Sequence, residues 1–271
     1  MIPIATDYTR AASLDEALAA LRDGAKPIAG GQSLIPLMKL RLAAPEALVD
    51  LGGLDELRGI RRDGDSFVIG ALTRHRDLVE SDELQAGCHV IAEAASGVGS
   101  PAVRNRGTIG GSLAHADPHA DLPAALLALD GSVTVRNASG SRTIAAADLV
   151  VDYLQTSLAD DELIVDVRVP ADAGRSAYAK FHRRAIDWSI VGAAAVLRGD
   201  RVQVAITGLG ARPVRASGFE EVVNGGGSLE DAARRAGEGT SPLDDLDGSA
   251  EYKHHLAGVL ARRAVQAARE R

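Results

Sequence analysis

Two glycine pairs, each close to a serine, constrain this chain more than any other feature of its sequence. They lie in AGGQS, residues 29–33, and in GTIGGS, residues 107–112, and each follows an extended segment. Neither has the spacing of the dinucleotide fingerprint G-x-G-x-x-G or of the P-loop G-x-x-x-x-G-K-[ST]. Paired glycines nevertheless permit positive φ and let an anion reach consecutive backbone N–H groups.

The residues beside the two pairs favour anion binding. A helix is predicted to begin near Ser33, and the N-terminus of a helix attracts negative charge. Thr108 and Ser112 add hydroxyl donors. If the two segments face each other in the folded chain, they form a clamp for a pyrophosphate group. The alternative is that each pair is only a tight turn, and the residues alone leave that alternative open.

Length and composition narrow the class of protein. A chain of 271 residues predicts two domains, or three small ones. The hydrophobic fraction of 46% allows a sizeable core, and the aromatic fraction of 3% means that Ala, Val, Leu and Ile must fill it. The net charge of -7 argues against a nucleic-acid partner. The sequence predicts no transmembrane segment and no signal peptide, and therefore a cytoplasmic protein.

The chain has a single cysteine, Cys88. One cysteine excludes a disulfide within the chain and excludes a zinc or iron–sulfur site ligated by cysteines of this chain alone. Any such cluster would have to be carried by a partner. Cys88 itself is predicted to be a small buried apolar residue.

Local patterns predict the elements of the first half of the chain. Ser13 and Glu16 form a capping box for a helix that stops at Gly24. A short strand is predicted at residues 26–29, and further strands are predicted in EALVDLGGL and DSFVIGALT. Thr73 is predicted to cap a short helix after the last of these strands.

The second half predicts a hairpin in SVTVRNASGSRTIAA, a strand that Pro170 ends, and three consecutive strands after residue 171. The last two strands are joined by a hairpin turn at Gly199–Asp200. A helix capped by Ser228 and a long amphipathic helix follow. Strands and helices are mixed without a strict βαβ alternation, which favours an α+β fold.

His115, Asp117, His119 and Asp121 alternate as metal ligands sometimes do. On a strand, however, alternate residues are about 7 Å apart, which is too far for one small ion, and Pro118 interrupts a regular strand. The pattern therefore predicts no metal site. We expect His115, Asp117 and His119 to be loop residues near a cofactor, without an assigned role.

The segments AGGQSLIPLMKLR and VRNRGTIGGSLAHADPHADLPAALLALD resemble the FAD-binding medium subunit of the molybdenum hydroxylases (the xanthine dehydrogenase and carbon monoxide dehydrogenase family). The similarity extends through DELIVDVRVP and AYAKFHRRAIDWSIVGAAAVL to AEYKHHLAGVLARRA, and the carbon-monoxide-dehydrogenase-type medium chain is the subgroup that it resembles most. The resemblance implies a vanillyl-alcohol-oxidase-type (PCMH-type) FAD-binding fold of two subdomains, residues 1–57 and 58–171, with a C-terminal α+β domain at residues 172–271.

The same resemblance implies the residues that contact FAD. Both glycine segments are expected at the pyrophosphate, and Asp121 is the expected acidic contact. Trp188 is expected beside the isoalloxazine, although relatives often have tyrosine at that position and histidine at the position of Gln32. The implied cofactor-binding residues are Ala29, Gly30, Gly31, Gln32, Ser33, Leu34, Thr108, Ile109, Gly110, Gly111, Ser112, Asp121, Ile164, Lys180 and Trp188.

Two of these residues have plainer interpretations. Lys180 could be a solvated lysine at the end of a strand, and a flavin nearby would instead give its ammonium a charge to neutralise. Trp188 could be simple core, although its polar neighbours Asp187 and Ser189 make an entirely apolar environment less natural.

The function that the resemblance implies is electron transfer within an assembly. In such enzymes the substrate is oxidised at a molybdopterin cofactor on a large subunit, and electrons pass through two-iron two-sulfur clusters of a small subunit to FAD and then to an external acceptor. The implied assembly is a dimer of heterotrimers. No residue of this chain is expected to be a catalytic acid or base. The alternatives are a stand-alone FAD-dependent oxidoreductase and a metal-binding or nucleotide-sensing module without a redox role.

Overall fold

The computed structural model describes residues 2–271, so Met1, the first residue of the predicted 1–57 subdomain, lies outside the described residues. Helices and strands are mixed along the described chain, and the predicted α+β class is confirmed. The helices are Leu14–Arg22 (α1), Leu34–Lys39 (α2), His75–Val79 (α3), Asp82–Gly87 (α4), His89–Ser96 (α5), Pro101–Arg104 (α6), Ile109–His115 (α7), Asp121–Ala128 (α8), Ala146–Leu149 (α9), Ser217–Asn224 (α10), Leu229–Ala233 (α11) and Ala250–Arg269 (α12).

The first sheet is small and parallel. Its strands are Asp7–Arg10 (β1), Lys26–Ile28 (β2) and Ala47–Asp50 (β3), in the order β1-β3-β2. Helices α1 and α2 connect them, so this segment is a βαβαβ unit, which the sequence did not predict. Strand β1 was missed because every residue of DYTR is exposed, and the segment has no apolar alternation.

The second sheet is antiparallel and has five strands. They are Ile60–Asp63 (β4), Ser66–Gly70 (β5), Ser132–Asn137 (β6), Gly140–Ala145 (β7) and Leu163–Pro170 (β10), in the order β4-β5-β10-β6-β7. The predicted hairpin is the pair β6 and β7, with Asn137 opposite Gly140. A separate short hairpin, Val150–Asp152 (β8) with Gln155–Thr156 (β9), lies between α9 and β10.

The third sheet contains Arg175–Phe181 (β11), Val191–Arg198 (β12), Arg201–Thr207 (β13) and Val214–Arg215 (β14). Its central strand, β12, is buried on both faces. Ala194 and Val196 belong to the core that the sheet shares with α5 and α8, whereas Ala193 and Ala195 belong to the core under α12. Covering both faces explains why VGAAAVL is continuously apolar rather than alternating.

Predictions about helix caps are confirmed at two positions and wrong at one. Ser13 Oγ accepts the N–H of Glu16 at 3.2 Å, and Ser228 Oγ accepts the N–H of Asp231 at 3.1 Å. Thr73 does not cap α3, because Arg74 is the N-cap residue and the Thr73 hydroxyl donates to the Gly59 carbonyl at 3.0 Å. The Thr73 hydroxyl thus bonds to a backbone carbonyl just before β4 instead of to the helix that the local pattern predicted.

The three sheets occupy separate stretches of the chain, with strands at residues 7–50, 60–170 and 175–215. The second and third stretches share one hydrophobic core, in which Tyr178 and Ala205 pack with residues of α5 and α8. The division of the chain into two FAD-binding subdomains and a C-terminal domain, with boundaries after residues 57 and 171, stays a prediction. None of the helices within residues 2–271 is both long and apolar enough to cross a membrane.

Candidate functional site

A cavity of about 680 Å³ lies where the first sheet meets the second and third. The beginnings of α2, α7 and α8 line it, together with the end of β11 and the loop after it. Every cofactor-binding residue predicted from the resemblance lines this cavity except Gly31 and Ile109. Ile109 is 1% exposed and packs in the core, so its side chain cannot contact a molecule in the cavity.

The first glycine segment, residues 29–33, precedes α2. Gly31 has φ +71°, a conformation that glycine adopts without strain. Within residues 2–271, no protein group accepts a hydrogen bond from the backbone N–H groups of Gly30, Gly31, Gln32 and Ser33. The Ser33 side chain makes no capping hydrogen bond either. Four consecutive amides next to a hydroxyl are therefore without a protein acceptor, which favours anion binding. That this segment binds a pyrophosphate stays a prediction.

The second glycine segment, residues 107–112, was predicted to be a second turn of the same kind as the first, and the structure differs from this prediction. Thr108 is the N-cap of α7, so Gly110 and Gly111 belong to the first helical turn and neither has positive φ. Their N–H groups are already bonded: Gly110 donates to the Ala71 carbonyl at 2.9 Å, and Gly111 donates to Thr108 Oγ1 at 3.1 Å. The amides of the glycine pair are therefore not free, and this segment offers mainly its hydroxyl groups.

The two segments lie directly against each other. A Cβ on Gly30 would lie 2.2 Å from the Arg106 carbonyl oxygen and 2.8 Å from the Gly107 Cα. A Cβ on Gly110 would lie 2.6 Å from the Ala71 Cβ. The glycines at these two positions are thus required by contacts between backbone segments of the protein. Gly111 differs in the kind of contact, because a Cβ there would lie 2.9 Å from the side-chain Oγ1 of Thr108 and an ordinary 4.0 Å from the Ala29 Cβ.

Asp121 and Lys180 form a buried ion pair in the cavity wall. Lys180 Nζ lies 3.1 Å from Asp121 Oδ2, and the two side chains are 7% and 5% exposed. Lys180 also donates to the Gly97 carbonyl at 2.8 Å. The interpretation of Lys180 as a solvated strand lysine is therefore wrong. Tyr178 and Ser189, which the sequence did not single out, both donate their hydroxyl groups to Asp121 Oδ1.

Trp188 lies at the mouth of the cavity and is 57% exposed, so the core interpretation of this residue is also wrong. Ile186, 61% exposed, lies beside it in the same loop. Ile164, in β10, contributes a buried apolar position to the cavity wall. The mouth therefore has an aromatic face at the surface and an apolar wall further in.

His115 is the last residue of α7, so its expected place in a loop is wrong, whereas Asp117 and His119 lie in the turn between α7 and α8. Asp117 Oδ1 accepts the backbone N–H of His119 at 2.8 Å, and His119 Nδ1 lies 2.7 Å from the Ser189 carbonyl. His115 Nε2 is 3.9 Å from Asp117 Oδ2. In the described part of the chain, no three His, Cys, Asp or Glu side chains are placed to hold a metal ion together.

His75, the first residue of α3, also lines the cavity, although the sequence predicted no role for it. It is 4% exposed, and its Nδ1 has no hydrogen-bond partner within residues 2–271. Burial, helped by the positive charge of Arg104, lowers the pKa of His75 from 6.5 to about 4. The imidazole is therefore neutral at physiological pH.

The low pKa of His75 predicts a pH-dependent stability. As pH falls, His75 binds a proton near pH 6.5 in the unfolded chain but only near pH 4 in the folded chain. Protonation therefore favours the unfolded state, so the folded state keeps its full stability above about pH 6.5 and loses part of it as pH falls towards 4. The free energy of unfolding should fall by about 3 kcal/mol across this interval because of His75. Urea denaturation of wild type and His75→Gln across this range measures the difference, and parallel pH profiles would contradict the prediction.

The residues of the cavity fit FAD. The four free amides suit a pyrophosphate, which carries negative charge and accepts hydrogen bonds. Lys180 places a cation on the wall, and the orphaned Nδ1 of His75 shows that the wall also holds an unused polar group. Trp188 and Ile164 supply aromatic and apolar surface for a flat ring.

Comparison with known proteins identifies the class. Residues 4–172 match the family model described as the FAD binding domain in molybdopterin dehydrogenase. Residues 176–268 match the CO dehydrogenase flavoprotein C-terminal domain. Fold and site together thus define a flavin-carrying subunit of an oxidoreductase. The chain belongs to the FAD-binding medium subunits of the molybdenum hydroxylase family, as the sequence resemblance implied.

Individual relatives match over nearly their whole length. The carbon monoxide dehydrogenase medium chain of Hydrogenophaga pseudoflava is 38% identical, covering 99% of this chain and 98% of the relative. The nicotine 6-hydroxylase medium subunit of Paenarthrobacter nicotinovorans is 38% identical, with 95% of both chains covered. Among solved structures, reconstituted CO dehydrogenase from Oligotropha carboxidovorans superposes with a TM-score of 0.95 at 36% identity, covering 100% of both chains.

Proposed function

We propose that this chain holds FAD as the electron-transfer subunit of a heterotrimeric molybdenum hydroxylase. The single observation that carries the proposal is the set of four free amides at residues 30–33, of which those of Gly30, Gln32 and Ser33 belong to residues that line the same cavity as the buried Lys180 ammonium. FAD supplies the ability to take up electrons and to pass them on to an acceptor. The chain's own residues bind and orient it.

The division of labour among these residues follows from their contacts. The amides of Gly30, Gln32 and Ser33 would hold the pyrophosphate, and Thr108 and Ser112, which carry hydroxyl groups, line the same cavity. Lys180 neutralises negative charge on the cofactor. Trp188, at the exposed edge of the cavity, would supply aromatic surface for the flavin ring. Asp121 holds the Lys180 ammonium by an ion pair and would influence the cofactor through it.

The proposed partners are a small subunit with two-iron two-sulfur clusters and a large subunit with the molybdopterin cofactor, arranged as a dimer of heterotrimers. The single, fully buried Cys88 supports this division, because this chain cannot ligate such a cluster by itself. Relatives named as a medium chain and as a subunit of a dehydrogenase complex support an assembly with other chains. We place the assembly in the cytoplasm, as the sequence predicts.

The proposal is tested with the full-length chain, alone and together with its small and large partner chains. The chain alone should bind FAD in a one-to-one ratio but should show little turnover with simple reductants and acceptors. In the assembled complex, substrate should bleach the visible flavin absorbance. A chain that binds no FAD contradicts the proposal, and strong turnover without partners would favour the stand-alone oxidoreductase instead.

A further inference from the structure

The hydrogen bonds around Asp121 involve two side chains with no role so far. Asp121 Oδ1 accepts the Tyr178 hydroxyl at 2.7 Å and also accepts the Ser189 hydroxyl, while Oδ2 accepts Lys180 Nζ at 3.1 Å. Tyr178 and Ser189 are 9% and 1% exposed. Neither lines the cavity, so neither can contact a molecule bound there.

Strand β12 is built to admit the Tyr178 hydroxyl. Gly192 lies opposite Lys180 in the pairing of β11 with β12. A Cβ on Gly192 would lie 2.0 Å from the Tyr178 hydroxyl oxygen, so any other residue would push the phenol away from Asp121. The backbone N–H of Tyr178 is held as well, because it donates to Glu93 Oε2 at 2.6 Å. The tyrosine is therefore fixed at both ends.

The network leaves Lys180 with one donor to spare. An ammonium has three N–H groups, and those of Lys180 donate to Asp121 and to the Gly97 carbonyl. Lys180 lines the cavity, so the third N–H is available to a molecule there. Its direction is set by where the Asp121 carboxylate sits.

We propose that Tyr178 and Ser189 are positioning residues for flavin binding: their hydroxyl groups fix the Asp121 carboxylate, which in turn holds the Lys180 ammonium towards the cofactor. This inference rests on the proposed FAD-binding function. Hydroxyl donors suit the task because they orient a carboxylate without adding a charge. Burial, followed by the nearby Asp121, raises the pKa of Tyr178 well above its usual value, so its hydroxyl keeps the proton that it donates.

The test measures the FAD dissociation constant of the full-length apoprotein by quenching of flavin fluorescence. Tyr178→Phe and Ser189→Ala remove one hydroxyl each and keep the rest of the side chain. Each should raise the dissociation constant about tenfold, the size expected for one hydrogen bond to a charged group. Ser189→Thr keeps the hydroxyl and should stay within about threefold of wild type.

A second background separates positioning from general packing. In Lys180→Gln, the ammonium through which the hydroxyl groups act is gone, so adding Tyr178→Phe should change the dissociation constant less than about twofold. A purely structural role would give the same increase in both backgrounds. Equal increases in the two backgrounds, or no increase from Tyr178→Phe and Ser189→Ala in the wild-type background, overturn the proposal.

Tyr8→Phe is the matched control. Tyr8 also donates its hydroxyl to an aspartate, Asp50, but it is 59% exposed and does not line the cavity. This variant should bind FAD as wild type does. The design keeps the two proposals apart: a wild-type chain that fails to bind FAD refutes the proposed function, whereas a binding wild type with unchanged variants refutes only the positioning role.

Discussion

Replacement of Gly30 by valine is expected to weaken FAD binding about 100-fold or more. The Cβ alone would lie 2.2 Å from the Arg106 carbonyl oxygen, which is backbone and cannot rotate away. The first glycine segment must then separate from residues 106–107, and its four free amides lose their place beside α7. The ratio of flavin to protein after gel filtration measures the effect.

The fold of the variant should survive, because Gly30 belongs to none of the three hydrophobic clusters of the core. Far-ultraviolet circular dichroism should therefore match that of wild type. Gly64→Ala is the control: Gly64 lies in the turn between β4 and β5, has φ +59°, and has no atom within 4 Å of the position that a methyl group would take. Gly64→Ala should keep its flavin, and a Gly30→Val protein with a full complement of FAD would refute the close-contact argument.

Replacement of Asp121 by alanine is expected to lower the free energy of unfolding by about 3–5 kcal/mol. The substitution leaves the Lys180 ammonium, 7% exposed, without its counter-ion and leaves the Tyr178 and Ser189 hydroxyl groups without their acceptor. A buried charge that has lost its partner is far more costly than a lost surface pair. Urea denaturation of the apoprotein at neutral pH measures the change.

An exposed ion pair provides the comparison. Asp15 lies 3.1 Å from Arg136, and the side chains are 82% and 45% exposed. Asp15→Ala should change the free energy of unfolding by less than about 1 kcal/mol. Asp121→Ala should also weaken FAD binding, but less than Gly30→Val does, since the amides at residues 30–33 stay in place. A loss of stability no larger than that of Asp15→Ala would show that the buried pair contributes little.

Much of the local structure could be predicted because its causes are local. Ser13 and Ser228 cap their helices through atoms three residues away, and the hairpin turn at Gly199–Asp200 joins strands that follow each other directly. The family resemblance is also carried by local sequence, since each glycine segment is a short continuous run of residues. Strand β1 escaped prediction because its residues are polar and exposed, and its stability comes from pairing with β3.

The roles of the two glycine pairs could be predicted only in part. Their chemistry suggested equivalent turns that open the backbone to an anion. In the fold, the first segment has a run of free amides, whereas the second begins α7 and its two paired glycines donate their N–H groups to Ala71 and Thr108. Gly30 and Gly110 are needed for contacts between segments distant in the sequence, and composition gives no sign of such contacts.

By itself, the sequence determined the α+β class, the family, FAD as the cofactor and the absence of a cysteine set for a cluster, because each of these depends on residue identity and short-range order. Only the tertiary structure decided which side chains surround the buried carboxylate in the wall of the cavity. Asp121 meets Tyr178, Lys180 and Ser189 across separations of 57, 59 and 68 residues. Such contacts arise when sheets pack, and a buried charge acquires its strength from partners that neighbouring residues cannot reveal.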